Sequence, residues 1–249
     1  MEQGLGRSSL SKYIMKISLI IPAYNEEKYI EECLLSVQKN GDQLFEVIVI
    51  NNASTDRTAI IVKKFPNVRL INEEKRGLPF ARNRGIAEAK GDILAFIDAD
   101  TKLPPNWVKQ IISTLEDKNT ISLSGPYIYF DFSFIKKFFV WMYWLILAWP
   151  TYLITGYMSV LGNFVVRKSA IKKIGGFNNE ILFYGDDTDI AKRLSHLGKV
   201  KFSLSFIMYT SARRLKGEGI MSTAYKYVVN FLWIVFINKP KTTEHANIR

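Results

Sequence analysis

The chain has 249 residues, 48% hydrophobic and 23% charged, which is a packing composition with room for one large domain or two small ones. A single cysteine, Cys33, with two histidines, His196 and His245, excludes an internal disulfide, a cysteine zinc site and a histidine-rich metal centre. The net charge of +11 favours anionic partners such as nucleotide-linked substrates or anionic lipid. Its basic residues are scattered in small groups with no recognised nucleic-acid motif, so nucleic acid is not an expected partner.

Residues 1–14 lack the apolar core of a signal peptide and are expected to form a flexible leader. Ile17 to Ile21 is a continuous apolar run ending at Pro22 and predicts a buried strand. Asn25 is suited to cap the following helix, with Glu26 and Glu27 at its positive end. Ile30, Cys33, Leu34 and Val37 then form an apolar stripe at helical spacing, which makes Cys33 a core residue. Val47 to Ile50 and Val68 to Ile71 read as the next two strands, with a short helix between them. Leu78 to Lys90 reads as a helix with Pro79 in its first turn. A fourth strand, Ile93 to Asp98, precedes a helix opened by Pro105. Strand and helix alternate at short spacing, so the fold class is α/β with a mostly parallel central sheet flanked by helices.

Ligands of such sheets bind beyond the carboxyl ends of the strands. Three polar stretches follow strands here: Pro22–Glu26, Asn51–Asp56 and Asp98–Asp100. Asp98 and Asp100 sit at i, i+2, and alternate side chains of an extended chain share a side. Paired carboxylates at the end of a buried strand suit a divalent metal, Mg²⁺ or Mn²⁺, carrying a phosphorylated substrate. A polar turn is the plainer reading of the same residues. Neither a glycine-rich dinucleotide turn nor a P-loop is present.

The set Pro22-Ala23-Tyr24-Asn25-Glu26, Asn52-Ala53-Ser54-Thr55-Asp56, Ala81-Arg82-Asn83-x-Gly85, Gly91-Asp92 and Asp98-Ala99-Asp100 resembles the family 2 glycosyltransferases of the GT-A fold. The resemblance covers about residues 16–215. It implies that Pro22, Tyr24, Glu26, Asn52 and Asp56 line the nucleotide pocket of a nucleotide-diphosphate sugar donor. Arg82 would then lie near the base or diphosphate, Asp98 at the ribose and Asp100 on the metal. Asn51-Asn52 stands where many members carry an acid, which leaves the base open. Asn52 also fits a turn, and Asp56 a helix cap. Further on, Gly185-Asp186-Asp187 resembles the family's Gly-Glu-Asp segment, with Asp186 replacing the glutamate; the match makes Asp187 the catalytic base. Acids in a first helical turn also complement the helix dipole. Sugar transfer with inversion needs a base for the acceptor hydroxyl and positive charge on the departing diphosphate, the latter from the metal and from Arg213 or Arg214.

Phe138 to Met158 holds no charged residue. A single membrane crossing there would separate Asp98 and Asp100 from Asp187, and two crossings need more residues than 132–161 supply. An inserted apolar helical hairpin or re-entrant pair is expected instead, with its aromatic residues at a headgroup boundary and Lys136 and Lys137 on anionic lipid. An internal helix pair in the core is the alternative. Tyr225 to Ile237 reads as a second interfacial helix before a polar tail, Pro240 to Arg249. These features give a domain over 15–215, a C-terminal segment over 216–249, and an expected place at the cytoplasmic face of a membrane. The expected acceptor is a glycan or a lipid-linked phosphate or glycan. A soluble transferase acting on a free saccharide or protein, and a non-catalytic nucleotide-sugar-binding protein, remain as rivals.

Overall fold

The computed structural model describes residues 15–182, 184–237 and 241. The expected leader, Phe183 and the tail other than Lys241 lie outside the described residues.

The strands are β1 (Ile17–Ala23), β2 (Glu46–Asn52), β3 (Val68–Glu73), β4 (Ile93–Ile97), β5 (Thr101–Lys102), β6 (Thr120–Ser124), β7 (Tyr127–Tyr129), β8 (Asn163–Arg167), β9 (Lys199–Phe202) and β10 (Met208–Thr210). Seven form a central sheet in the order β3-β2-β1-β4-β8-β6-β9, and β5-β10-β7 form a small second sheet. The central sheet is parallel except for β8, which runs antiparallel to both β4 and β6. The α/β architecture read from the sequence is therefore present.

Both faces of the sheet are covered, which is why β1 and β4 are buried at every residue and read as apolar runs, broken in β1 only by Ser18, whose hydroxyl donates to Glu46. Alternation sorts β1 between two cores. Leu19 and Ile21 pack with the stripe of α1 (Ile30–Asn40) and with α4 (Trp107–Leu115), whereas Ile20 packs with α3 (Leu78–Glu88). Cys33 lies in the first core, where burial pushes its thiol up to about 12. A short α2 (Thr58–Val62) links β2 to β3.

The helix after β1 begins at Ile30, not behind Asn25. Asn25 sits in the left-handed region at φ 54°, and its Oδ1 accepts the Thr55 N–H at 2.8 Å. The side chain that could have capped a helix instead ties the loop after β1 to the loop after β2.

Two topological facts position the site. Because β8 runs antiparallel to β4, with Ile97 opposite Asn163, the residues entering β8 meet those leaving β4. The small sheet joins β5, just after Asp100, to β10, just before Arg213, and to β7, which carries Tyr127.

The apolar insertion is one helix, α5 (Phe134–Thr155), and not the expected hairpin. Pro150 falls inside this helix, although proline lacks the N–H and crowds the preceding turn. A π-helical turn over Trp144–Ala148, in which Trp149 N–H reaches back to the Trp144 carbonyl, widens the helix just ahead of Pro150 and carries it through. Trp144 and Ala148 are buried against Phe202, with Trp141 and Tyr152 packed around them at helical spacing. The opposite face is bare: Phe134 is 85% exposed, Ile146 65% and Ile154 85%. Among the described residues α5 alone is long and apolar enough to cross a membrane by length and composition. The remaining helices are α6 (Lys168–Lys173), α7 (Asp186–Ser195), α8 (Arg213–Glu218) and α9 (Ile220–Ile237). Lys192 of α7 donates to the Val235 carbonyl near the end of α9 at 2.8 Å, a cation placed at the negative end of the helix dipole.

Candidate active site

A cleft of about 1150 Å³ opens at the carboxyl ends of β1, β2 and β4. Pro22, Tyr24, Glu26, Asn52, Arg82, Asp98, Asp100, Asp186, Asp187, Arg213 and Arg214 all line it, so the acids from distant parts of the chain share one cavity. Asp56 does not line it. Its carboxylate accepts Thr58 N–H and Oγ1–H at 2.9 and 2.5 Å and Glu27 N–H at 3.0 Å, which holds it well below the usual carboxylate range. Asp56 therefore locks the loops after β1 and β2 together just ahead of α2, whose N-cap is Arg57.

Asn52 lines the cleft with its polar atoms already engaged. Its Nδ2 donates to the Lys75 carbonyl at 2.8 Å, and its Oδ1 accepts Gly77 N–H at 2.8 Å. It fixes the loop that brings Arg76 over the Tyr24 ring, 4.2 Å from the centroid.

Four residues of the 81–85 segment, all but Arg84, have a distinct task here. Ala81 is buried in the core, and a Cβ on Gly85 would collide with Ile20 of β1. Asn83 clips the loop after Gly176, accepting Phe177 N–H and donating to the Phe177 carbonyl, both at 2.9 Å. Arg82 is 3% exposed, and its Nη1 donates to Asp186 Oδ2 at 2.7 Å. Its Nη2 lies 3.9 Å from Asp98 Oδ1, and its guanidinium faces the Phe177 ring. The sequence reading put Arg82 at the base or diphosphate. In the structure it bridges the acids from β4 and those from α7.

Arg213 likewise faces acids. Its two terminal nitrogens pair with both Glu26 oxygens at 2.7 Å, and its Nε lies 2.8 Å from Asp100 Oδ2. This bidentate geometry is the strong form of the pair. Burial pushes the Asp100 carboxyl up to about 7, with Arg213 opposing the rise.

At the first turn of α7, Asp186 Oδ1 accepts Asp187 N–H at 3.0 Å. Asp187 Oδ1 accepts Leu161 N–H at 3.0 Å from the segment entering β8. Burial, and then the neighbouring Asp186 charge, push Asp187 up to about 8. The α7 dipole pulls the other way, and burial outweighs it. A carboxyl tuned near neutrality has the value a general base needs at pH 7.

Sequence reasoning missed two members of the site. Tyr127 of β7 donates from its hydroxyl to Asp98 Oδ2 at 3.0 Å. Gly162 lies beneath the pair, and a Cβ there would strike both the Tyr127 hydroxyl and the Asp98 carboxylate. No local motif marks either one, because only the antiparallel β8 and the small sheet bring them to Asp98. Gly162→Ala should displace Asp98 and lower any activity of the site by up to about 10²-fold, the cost of an ångström-scale misplacement, with the melting temperature nearly unchanged. Initial rates alongside a thermal melt check this.

The family model for glycosyl transferase family 2 matches residues 18–175. The chain belongs to glycosyl transferase family 2. The matched range ends before Asp186 and Asp187. The chain is 35% identical over 116 residues to glycosyltransferase AglE of Haloferax volcanii, covering 44% of this chain and 38% of that protein. It is 31% identical over 119 residues to a dolichol-phosphate mannosyltransferase of Pyrococcus furiosus, covering 46% and 34%. The chain thus spans about a third of the length of the curated relatives it matches. Among solved structures, mannosyltransferase PcManGT of Pyrobaculum calidifontis, in complex with GDP-Man and Mn²⁺, superposes with a TM-score of 0.70 at 21% identity, covering 93% of this chain and 66% of that one. The family 2 fold expected from the motifs is thereby confirmed.

Proposed function

We propose that this family 2 protein is a metal-dependent, inverting glycosyltransferase that takes its sugar from a nucleotide-diphosphate donor. The observation that carries the reading is the convergence of Asp98, Asp100 and Asp187 on one cleft from β4 and α7. The donor would lie over the loops after β1 and β2, where Pro22, Tyr24, Glu26 and Asn52 line the cleft. That the Pyrobaculum enzyme, on the same fold, is solved with GDP-Man and Mn²⁺ supports a nucleotide sugar and a divalent ion as ligands.

The residues present fit a divalent ion. Among the described residues no three-membered cluster of His, Cys, Asp or Glu gathers around one point. Mg²⁺-type ions characteristically use one or two carboxylates and take further ligands from substrate phosphates. Asp100 with Asp98 would hold the ion, and it would supply positive charge to the departing diphosphate. In the chain itself, Asp187 takes the acceptor hydroxyl's proton as that oxygen attacks the anomeric carbon. Leu161 N–H fixes one Asp187 oxygen. Arg82 and Asp186 hold the turn in place. Arg213, paired with Glu26 and Asp100, and Arg214 are cations on the cleft wall that would face the diphosphate.

The acceptor is a glycan or a lipid-linked phosphate or glycan, met at the cytoplasmic face of an anionic membrane. The bare apolar face of α5, with Lys136 and Lys137 at its start, supports that surface. We expect UDP or GDP to raise the melting temperature only when Mn²⁺ is present, by thermodynamic linkage. A shift independent of Mn²⁺, or no shift with any nucleotide diphosphate, would contradict the donor site.

A further inference from the structure

The cleft is larger than the acids and the nucleotide loops account for. Its remaining wall comes from two apolar helices: Phe139, Tyr143 and Leu147 on α5, and Tyr227, Val228 and Phe231 on α9. Both helices turn further apolar residues outward, with Ile146 65% and Tyr225 65% exposed, so this wall is continuous with the surface that would meet a bilayer. The groove also ends at the reaction centre. The segment 159–161 joins the two, since Val160 packs with Trp144 of α5 while the next residue's N–H binds Asp187. Tyr143 of α5 and Tyr227 of α9 line the same cleft as Asp187.

Two further observations point to an occupant with a polar end. Trp144 Nε1 and Ser159 Oγ belong to residues lining the cleft, are buried, and have no hydrogen-bond partner among the described residues. Native interiors leave few such groups, and an unsatisfied one calls for a ligand or a water. Lys136 and Arg214 line the same cleft and bring positive charge to it.

Resting on the transferase reading above, we propose that the acceptor is a lipid whose apolar chain lies between α5 and α9 and whose negatively charged head presents its acceptor oxygen at Asp187. In the step so placed, that oxygen bonds to the anomeric carbon while the bond from that carbon to the diphosphate oxygen breaks. The acceptor proton, where the oxygen carries one, passes to Asp187, and the diphosphate leaves with the electron pair. A free saccharide would leave the apolar wall facing water, a cost the lipid chain removes.

The test uses dodecyl phosphate brominated at its chain end, held below its critical micelle concentration so that no bilayer is involved. Bromine quenches tryptophan on contact, and Trp144 lines the groove. We expect saturable quenching in the full chain. The double variant Leu147→Gln/Val228→Gln, at positions 51% and 44% exposed and so tolerant of polar side chains, should lower the affinity. The loss should be at least about tenfold, the scale of two lost apolar contacts. Ile60→Gln, on the remote α2, should bind as the parent does. No quenching, or equal affinity in the double variant, overturns the groove. The nucleotide and Mn²⁺ melting shift, measured without amphiphile, reports the donor site separately. Saturable quenching with that shift absent would overturn the lipid's role as acceptor and would strike the transferase reading itself.

Discussion

Asp187→Asn should abolish transfer while making the free protein more stable. Loss of a general base typically costs ~10²–10⁴ in rate, and the asparagine keeps the oxygen that accepts Leu161 N–H. Donor binding should survive if the donor lies on the loops after β1 and β2 as proposed, since the Asp187 carboxylate bonds to Leu161 N–H and not to those loops. The stability change follows from the raised carboxyl. Its ordinary value is 3.8 and its folded value about 8, so between those limits the folded chain binds more protons than the unfolded one. Stability contributed by that protonation is complete below the unfolded value and is lost as pH climbs toward about 8. The asparagine variant escapes that loss. Its melting temperature should match the parent near pH 4 and exceed it by a margin that grows as pH rises toward 8. Rates and melts across this pH range check both halves. An active Asp187→Asn enzyme, or one less stable at pH 8 than the parent, would remove Asp187 from the role of base.

The largest stability effect is expected at Arg82. Its guanidinium is buried, with one nitrogen 2.7 Å from Asp186 and another 3.9 Å from Asp98. Arg82→Met keeps most of the stem packing and leaves the half-buried acids without their cation. Breaking a buried pair from one side costs ~3–5 kcal/mol. The double variant Arg82→Met/Asp186→Asn removes the stranded charge as well and should recover a substantial part of that loss in chemical denaturation. Activity should stay low in both, since Arg82 sets the turn that carries Asp187. Equal stability in the single and double variants would show that the bridge does not couple the two groups of acids.

How much of this was legible in the sequence varied with the kind of signal. Strands buried on both faces, β1, β2 and β4, announce themselves as apolar runs, and the α1 stripe is regular. β6 was missed because Thr120, Ser122 and Ser124 are buried polar residues that interrupt its apolar pattern. β5, β7 and β10 are two or three residues long and exist only through their mutual pairing. The acids of the site were legible because each follows a strand or opens a helix. Their partners were not. Arg82 was read as a donor contact, but it lies on a helix whose neighbours are set by the distant α7 turn. Arg213 was read onto the diphosphate, and its pairing with Glu26 joins residues 187 positions apart. Tyr127 and Gly162 carry no motif at all. The π-helical turn that takes α5 past Pro150 is likewise invisible to a rule that treats proline as a stop.

The central claim is that acids from β4 and α7 serve one donor. It is tested most directly by a crystal structure of the protein with Mn²⁺ and a non-hydrolysable nucleotide sugar. The expected result is an ion on the Asp100 carboxylate that also touches the diphosphate, with the Asp187 carboxylate facing the anomeric carbon from the side opposite the leaving group. An ion bound away from Asp98 and Asp100, or a sugar whose anomeric carbon faces away from Asp187, would contradict it.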